Sequence, residues 1–167
     1  MAAPDQIAKT LSADRGPCIA TAVLLAVASC AQLPPTSSVA IPPIPAGAAR
    51  VWFYRDYEPH ESLSRPYVRL NEQIAGISEP GGAFYRDVAP IRYHITVDSD
   101  GRDFNQVADA KLSAGQEVYA KIVSLRSWLG DDNDCTNWGG CDTFYVWLIR
   151  PEEARPAIGK SPFYGGN

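Results

Sequence analysis

The residue with the clearest chemistry in this chain is Cys30, which follows a short apolar run. The run Ile19–Ala28 is ten residues long, and Lys9 and Arg15 lie upstream of it. A membrane-spanning helix needs about 20 apolar residues, so this run is too short to cross a bilayer. It is typical of the hydrophobic part of a secretory signal. We therefore expect residues 1–29 to be a signal peptide that is cleaved before Cys30.

The four residues Val27-Ala28-Ser29-Cys30 resemble the lipobox of bacterial lipoproteins. The resemblance implies that Cys30 carries a covalent lipid. Ala31 follows Cys30, and by resemblance to lipoprotein sorting the absence of Asp at this position implies the outer membrane. The predicted location is therefore the cell envelope, lipid-anchored and facing the periplasm. A short buried helix of a soluble protein is the alternative interpretation of the apolar run.

The charge balance narrows the choice of partners. The chain has 15 Lys and Arg against 19 Asp and Glu, a formal net charge of −4, and no basic cluster. A mildly acidic chain of this kind argues against a nucleic-acid partner. It also argues against electrostatic binding to anionic lipid, so we expect the membrane tether to be covalent.

Cys135 and Cys141 are the cysteines that remain once Cys18 leaves with the signal and Cys30 takes the lipid. In an oxidising compartment we expect them to form a disulfide, because Gly139-Gly140 can turn the chain back between them. A loop this short would restrict the unfolded chain by only about 2 kcal/mol. A metal pair is the alternative, although zinc sites prefer two to four residues between their cysteines.

An acidic, tryptophan-flanked segment around these cysteines is the best candidate for an interaction loop. It contains two aromatic and three acidic side chains, Trp128, Asp131, Asp132, Asp134 and Trp138, and Asp142 follows it. Exposed tryptophans can stack on sugars or anchor a protein partner. The carboxylates suit calcium, but their spacing does not match a known calcium loop, so we predict no metal. An inert hairpin is the alternative, and the loop Tyr57–Arg65 is then the next candidate.

No sequence motif points to catalysis, a cofactor or a metal centre. The chain has no Gly-x-Ser-x-Gly, no paired metal-binding histidines and no P-loop. His94 falls on the polar side of a predicted strand and His60 lies in a predicted loop, so we expect both to be solvated surface residues. We therefore predict that the protein is not an enzyme and carries no cofactor.

Period-two patterning dominates the chain from Ala49 to Arg150. The predicted strands cover 50–55, 67–70, 73–77, 83–88, 92–98, part of 103–112, 117–125 and 143–150. Asn71-Glu72 forms a turn, and the apolar run 143–150 predicts a central strand covered on both faces. The sequence predicts an all-β fold, a small antiparallel β-sandwich of seven to eight strands spanning 49–158, with one helical turn at 151–155.

Two segments outside these strands are predicted to lack core residues. Residues 30–48 hold the lipidated cysteine and then a proline-rich linker, in which extended backbone stays solvated. The seventeen residues 31–47 could hold the domain about 50 Å from the membrane. Residues 159–167 contain Pro162, Gly165 and Gly166 and are predicted to form a loose tail.

The order of several strand and turn segments resembles a known family. These segments are Ala49–Arg55, Val68–Ile77, Ala83–Pro90, Tyr93–Val97 and Leu112–Tyr119. In order and spacing they are similar to the bacterial lipoprotein domain called "domain of unknown function 2846", over about residues 49 to 150. Pro90-Ile91 stands where that pattern usually has Pro-Gly. The resemblance implies an envelope lipoprotein with a β-sandwich and no catalytic residues.

Taken together, the sequence predicts a lipid-anchored envelope protein that binds or scaffolds another component. The predicted partners are the membrane, through the lipid, and an envelope protein or glycan. The alternative function is an envelope or cell-wall hydrolase with dispersed catalytic residues. A buried carboxylate or histidine with a shifted pKa in a deep cleft would favour the hydrolase.

Overall fold

Eight β-strands and one α-helix form the framework of the molecule. The computed structural model describes residues 32–57, 62–99, 106–126 and 142–167, which belong to one compact unit, Gln32–Asn167. The strands are β1 Ala49–Tyr54, β2 Tyr67–Leu70, β3 Gln73–Ile77, β4 Ala83–Val88, β5 Arg92–Val97, β6 Ala108–Lys111, β7 Glu117–Arg126 and β8 Asp142–Ile149. The helix is α1, Pro151–Lys160, and a 3-10 turn covers Thr36–Ser38. The predicted predominance of β-structure is confirmed.

The strands form two four-stranded sheets. The first sheet has the order β4-β1-β7-β8 and the second has the order β3-β2-β5-β6. Five of the six pairings are antiparallel, and β1 pairs with β7 in parallel, with Arg50 opposite Glu117. The first sheet is therefore mixed, and the expectation of purely antiparallel pairing is wrong for this one contact.

One hydrophobic core combines residues of both sheets. Phe53 and Ile122 of the first sheet and Val68 and Ile95 of the second are at most 1% exposed and belong to the same cluster. Burying a side chain of this size contributes about 1.5–3 kcal/mol relative to leaving it in water. The alternation predicted for β5 is confirmed, because Tyr93, Ile95 and Val97 are buried whereas Arg92 and His94 are exposed.

A second apolar cluster covers the outer face of the first sheet. Trp52 and Tyr54 of β1 and Tyr119 of β7 pack there against Ala154 and Ile158 of α1. Strand β1 is consequently buried along its whole length and on both faces. Pro151 starts the helix at a position where its missing N–H costs nothing. The helix extends over ten residues rather than the single turn that was predicted.

The predicted central position of the last strand is wrong. Strand β8 has a partner, β7, on one side only among the described strands. Phe144 and Val146 point into the core, but Trp147 and Leu148 are 53% and 44% exposed. A continuous apolar run does not by itself separate a central strand from an edge strand that keeps an aromatic side chain in solvent.

The proline-rich segment 32–48 packs on the domain instead of extending into solvent. The N–H and hydroxyl of Thr36 both donate to the carbonyl of Ser161, at 2.8 and 2.9 Å, and Thr36 is buried. The N–H of Phe163 donates to the carbonyl of Pro34 at 3.0 Å. We call residues 32–48 the strap. Its prolines leave carbonyl groups free to accept, and these bonds fix it against the chain end.

Residues 159–167 were predicted to form a loose tail, but Gly159 and Lys160 belong to α1, and the residues from Pro162 onward run along the free side of β4. The N–H groups of Tyr164 and Tyr85 donate to the carbonyls of Ala83 and Gly165, at 2.8 and 3.1 Å. The amide of Asn167 bonds to both backbone polar groups of Asp87. The tail thereby supplies partners for an edge whose N–H and C=O groups would otherwise be unpaired.

Candidate functional site

The described ends of three loops meet at one end of the two sheets. Their described ends are Arg55 and Ser62–Ser64 in the first loop, Ser99 in the second, and Asp142 in the third. Side-chain hydrogen bonds, some to other side chains and some to backbone carbonyls, link these residues across sequence separations of up to 80 residues. We call this set the loop-end hub. It is the place where the fold brings several connecting segments together on a rigid support.

Arg55 is the buried member of the loop-end hub. It follows β1 directly and is 0% exposed. Its Nη1 donates to the carbonyl of Ser64 at 2.8 Å, and its Nη2 donates to the carbonyl of Ser62. Its guanidinium lies 5.1 Å from the centre of the Phe144 ring. A guanidinium has several donors in a fixed plane, so one side chain can hold two carbonyls and fix the shape of the loop.

Asp142 joins the first loop to the third. It is the first residue of β8, opposite Arg126 at the end of β7. Its Oδ2 accepts hydrogen bonds from the hydroxyls of Ser62 and Ser64, the latter at 2.7 Å. Its buried Oδ1 has no hydrogen-bond partner within the described ranges. The carboxylate therefore joins the start of β8 to the described end of the first loop.

Ser99 connects the second loop to the same strand. Its hydroxyl donates to the carbonyl of Asp142 and accepts from the N–H of Phe144, each at 3.1 Å. Ser124 of β7 accepts a hydrogen bond from the N–H of Ser62 at 3.3 Å. Serine hydroxyls thus provide hydrogen-bond partners for backbone N–H and C=O groups where the strands end and the loops begin.

The residues predicted from sequence to form the interaction loop lie outside the described residues. This applies to the two tryptophans, the three acids and the two cysteines, Trp128, Asp131, Asp132, Asp134, Trp138, Cys135 and Cys141, and also to Cys30. Strand β7 ends at Arg126 and strand β8 begins at Asp142, so these two paired residues mark the two ends of that loop. It also brings Asp142 to Ser62 and Ser64, so the two candidate loops proposed from sequence share one support.

A second polar cluster, between α1 and the first sheet, was not predicted. Glu117 accepts hydrogen bonds from the Tyr119 hydroxyl at 2.6 Å, from Arg155 at 2.9 Å and from the Trp52 indole at 3.5 Å. These residues line a cavity of about 300 Å³ beneath the strap, together with Thr36. Glu117 and Tyr119 are two residues apart, so strand periodicity alone could have placed them on one face of β7. Arg155 is 38 residues from Glu117, and no local pattern links the two.

The electrostatics of this cluster keep the Glu117 carboxylate charged. Burial acts to raise the pKa of Glu117, but the hydrogen bonds from Tyr119, Arg155 and Trp52 outweigh it and hold that pKa below its ordinary value. Burial, together with the bond to Glu117, raises the pKa of Tyr119. An ionised carboxylate with three donors is a structural acceptor that fastens the helix to the sheet.

His94 lies on the surface, as predicted. Its Nδ1 is 3.1 Å from a carboxylate oxygen of Asp109 on the neighbouring strand β6, and the two side chains are 48% and 61% exposed. Within the described ranges no three His, Cys, Asp or Glu residues come close enough to hold a metal ion. His60 lies outside those ranges.

Comparisons with known proteins give no family assignment. No family model matches the chain, and neither a curated protein nor a solved structure matches it. In the part of the chain that the structure describes, no helix is long and apolar enough to cross a membrane.

Proposed function

We propose that this chain is a lipid-anchored lipoprotein of the cell envelope, and that its folded part is a β-sandwich acting as a non-catalytic binding module. The lipid is on Cys30, and the domain faces the periplasm, most simply from the outer membrane. The apolar run and the small residues before Cys30 support the anchor. The shared core of the two sheets supports the sandwich. The resemblance to "domain of unknown function 2846" belongs to the same proposal.

The observation that carries the binding role is the convergence of three loops at the loop-end hub. Arg55 and Asp142 hold the ends of two of these loops together, and Ser99 ties in the third. Loops that start from such a rigid support lose less freedom on binding than isolated loops do. The proposed binding residues are those of the third loop, Trp128, Asp131, Asp132, Asp134 and Trp138. An envelope protein or glycan is the proposed partner.

The carboxylates with shifted pKa support binding over hydrolysis. A hydrolase that uses a carboxyl group as its general acid needs one whose pKa is raised toward neutrality. The two described carboxylates with a shifted pKa move the other way. Arg69 holds the pKa of Asp98 below its ordinary value through a two-point hydrogen bond, and Glu117 is kept charged by its three donors.

The decisive test is a pull-down from intact envelopes with the anchored protein. Trp138→Ala with Asp132→Ala removes one aromatic and one acid from the proposed loop. Trp147→Ala with Asp109→Ala is the matched control, because both residues are exposed and lie in strands away from the loop-end hub. We expect the first variant to lose partners that the wild type and the control retain. An unchanged partner set at an equal melting temperature would contradict the proposed site.

The anchor and the disulfide have separate tests. Cys30→Ser should release the protein from membranes into the soluble periplasmic fraction, because stable anchoring of a domain requires its acyl chains. Membrane retention as firm as that of the wild type would contradict lipidation at Cys30. Cys135 and Cys141 should resist alkylation without reductant, and two free thiols would favour metal binding instead.

A further inference from the structure

The strap determines how far the domain can lie from a lipid on Cys30. Had residues 31–47 been an extended linker, the spacing could have reached about 50 Å. In the structure the strap is already bonded to the tail at Pro34 and Thr36. Leu33 is the third residue after Cys30, and a chain of three residues spans about 10 Å at most. A lipid on Cys30 would therefore hold the strap's first residues at the membrane surface.

Exposed apolar side chains surround the point where the strap begins. Leu33, Tyr57 and Tyr164 are 43%, 69% and 45% exposed. Leu33 precedes Pro34, whose carbonyl accepts from Phe163, so it lies beside the segment that carries Tyr164. The Tyr164 ring lies against Gly82, where an added Cβ would come within 2.6 Å of it. We call Leu33, Tyr57, Tyr164 and Lys160 the exit rim.

A groove joins the remaining members of the exit rim. It has a volume of about 620 Å³ and is lined by Tyr57, Lys160 and Pro162, among others. Asp56 also lines it, but its carboxylate is 2.5 Å from the ammonium of Lys121. Lys160 adds a positive charge to the groove that Tyr57 lines. Tyrosine and lysine are the residues that favour the headgroup layer of a bilayer, because each has an apolar body and a polar end.

We infer that the exit rim contacts the lipid headgroup layer of the membrane that holds the anchor. The inference rests on the proposed lipidation of Cys30. The length of chain between Cys30 and Leu33 selects a bilayer as the occupant, because it keeps Leu33, at the start of this surface, within about 10 Å of the residue that would carry the acyl chains. Tyr57 is two residues from Arg55, so the loop-end hub would also work close to the membrane.

Quenching of a fluorescent residue by a nitroxide in the lipid headgroup region tests this contact. A fluorescent non-natural amino acid is introduced at position 164 or position 33 of the full-length, lipidated protein. The matched control carries it at position 113, an exposed turn bonded to Gln116 near the start of β1. Each protein is reconstituted into phosphatidylethanolamine–phosphatidylglycerol vesicles that contain phospholipid with a nitroxide in the headgroup region. We expect several-fold stronger quenching at 33 and 164 than at 113.

The outcomes separate the contact from the anchor on which it rests. Equal quenching at positions 164 and 113, in protein that co-floats with vesicles, would overturn the exit rim and leave the lipid anchor standing. Protein that does not co-float, and whose Cys30→Ser variant fractionates as the wild type does, would overturn the anchor and the contact together. Stronger quenching at 164 that disappears in the Cys30→Ser variant would support both.

Discussion

Arg50 and Asp87 form a buried, two-point ion pair between β1 and β4. The Arg50 Nε lies 2.7 Å from Oδ1 of Asp87 and the Nη2 lies 2.8 Å from Oδ2, with both side chains at most 7% exposed. The third nitrogen, Nη1, donates to the carbonyl of Pro42 in the strap at 2.8 Å. Hydrogen bonding to Asp87 raises the pKa of Arg50. One guanidinium therefore fastens the strap to the sheet.

We expect Arg50→Met to destabilise the domain by about 3–5 kcal/mol. The substitution leaves the Asp87 carboxylate buried without its partner, and removing one member of a buried pair costs this much. Arg50→Met combined with Asp87→Leu should recover part of the loss, because neither charge then remains buried. Urea unfolding at neutral pH measures both free energies of unfolding. An Arg50→Met variant as stable as the wild type would show that the ion pair does not fasten the strap to the sheet.

Gly76 of β3 lies close against Phe84 of β4 on the opposite sheet. A Cβ at this position would lie 2.6 Å from Cε2 of Phe84, whose ring stacks on Phe53 at 4.9 Å in the shared core. Gly76→Ala should therefore overpack the core and cost about 1–3 kcal/mol. Gly159→Ala in α1 is the matched control, since its nearest neighbour is Ser37 Cβ at 3.7 Å.

The control, Gly159→Ala, should leave the free energy of unfolding unchanged or raise it. Alanine in a helix is favoured over glycine by about 0.5–1 kcal/mol where space allows, so Gly159→Ala is expected to be neutral or stabilising. Thermal unfolding of both variants under one condition gives the comparison. If Gly76→Ala melts at or above the wild-type temperature, the two sheets do not face each other as closely as the structure has them.

Local patterns predicted the strands, whereas long-range contacts remained hidden. Asn71 and Glu72 have φ values of +47° and +69°, as a two-residue hairpin turn requires, and asparagine adopts a positive φ more readily than most residues. The parallel pairing of Arg50 with Glu117 has no comparable local signal, because the two residues are far apart in sequence. Parallel neighbours need a long crossover, and sequence periodicity does not say which strands it joins.

The candidate site shows the same division. Acidic and aromatic residues in 128–142 predicted a loop, but nothing in the sequence links Asp142 to Ser64, which lies 78 residues away. The strap was misjudged for a different reason. Proline-rich composition favours an extended backbone but does not say whether that backbone is solvated or packed on the domain. The hydrogen bonds at Pro34 and Thr36 show that it is packed, and they join residues far apart in sequence.

Acid should weaken the attachment of α1 through Glu117. The pKa of Glu117 is lower in the folded chain than its ordinary value of 4.5. A carboxylate of this kind contributes its stability above the unfolded pKa and loses it as the pH falls through the folded pKa. We expect the melting temperature to fall below about pH 4.5, and Glu117→Gln to reduce that fall.

The Glu117 effect needs a control carboxylate. Glu72→Gln changes an exposed turn residue and should leave the acid limb of the stability curve as it is in the wild type. Melting temperatures measured from neutral to acidic pH for the three proteins give the comparison. An acid limb that is equally steep in Glu117→Gln and the wild type would place the acid-sensitive contact elsewhere, for example at Arg69 and Asp98.

Phe163 should make the tail a structural part of the domain. Its ring lies 6.0 Å from that of Tyr85 and 6.4 Å from that of Trp52, within the cluster that covers the outer face of the first sheet. Phe163→Ala should cost about 2–4 kcal/mol, somewhat less than a fully buried phenylalanine because the side chain is only partly buried. Tyr164→Ala is the matched control, since this neighbouring ring is 45% exposed and should cost less than about 1 kcal/mol.

A truncated chain tests the same point more severely. Residues 49–150 retain every described strand but lack the helix, the tail and the strap, so Trp52, Tyr85 and Tyr119 would be open to solvent. We expect this piece to bind a hydrophobic dye and to melt with reduced cooperativity, whereas residues 32–167 should melt in one transition. Two results together would contradict this expectation: a cooperative melt of 49–150 at the temperature of the longer chain, and equal stability of Phe163→Ala and Tyr164→Ala. The two sheets alone would then determine the stability, and the helix, tail and strap would contribute little to it.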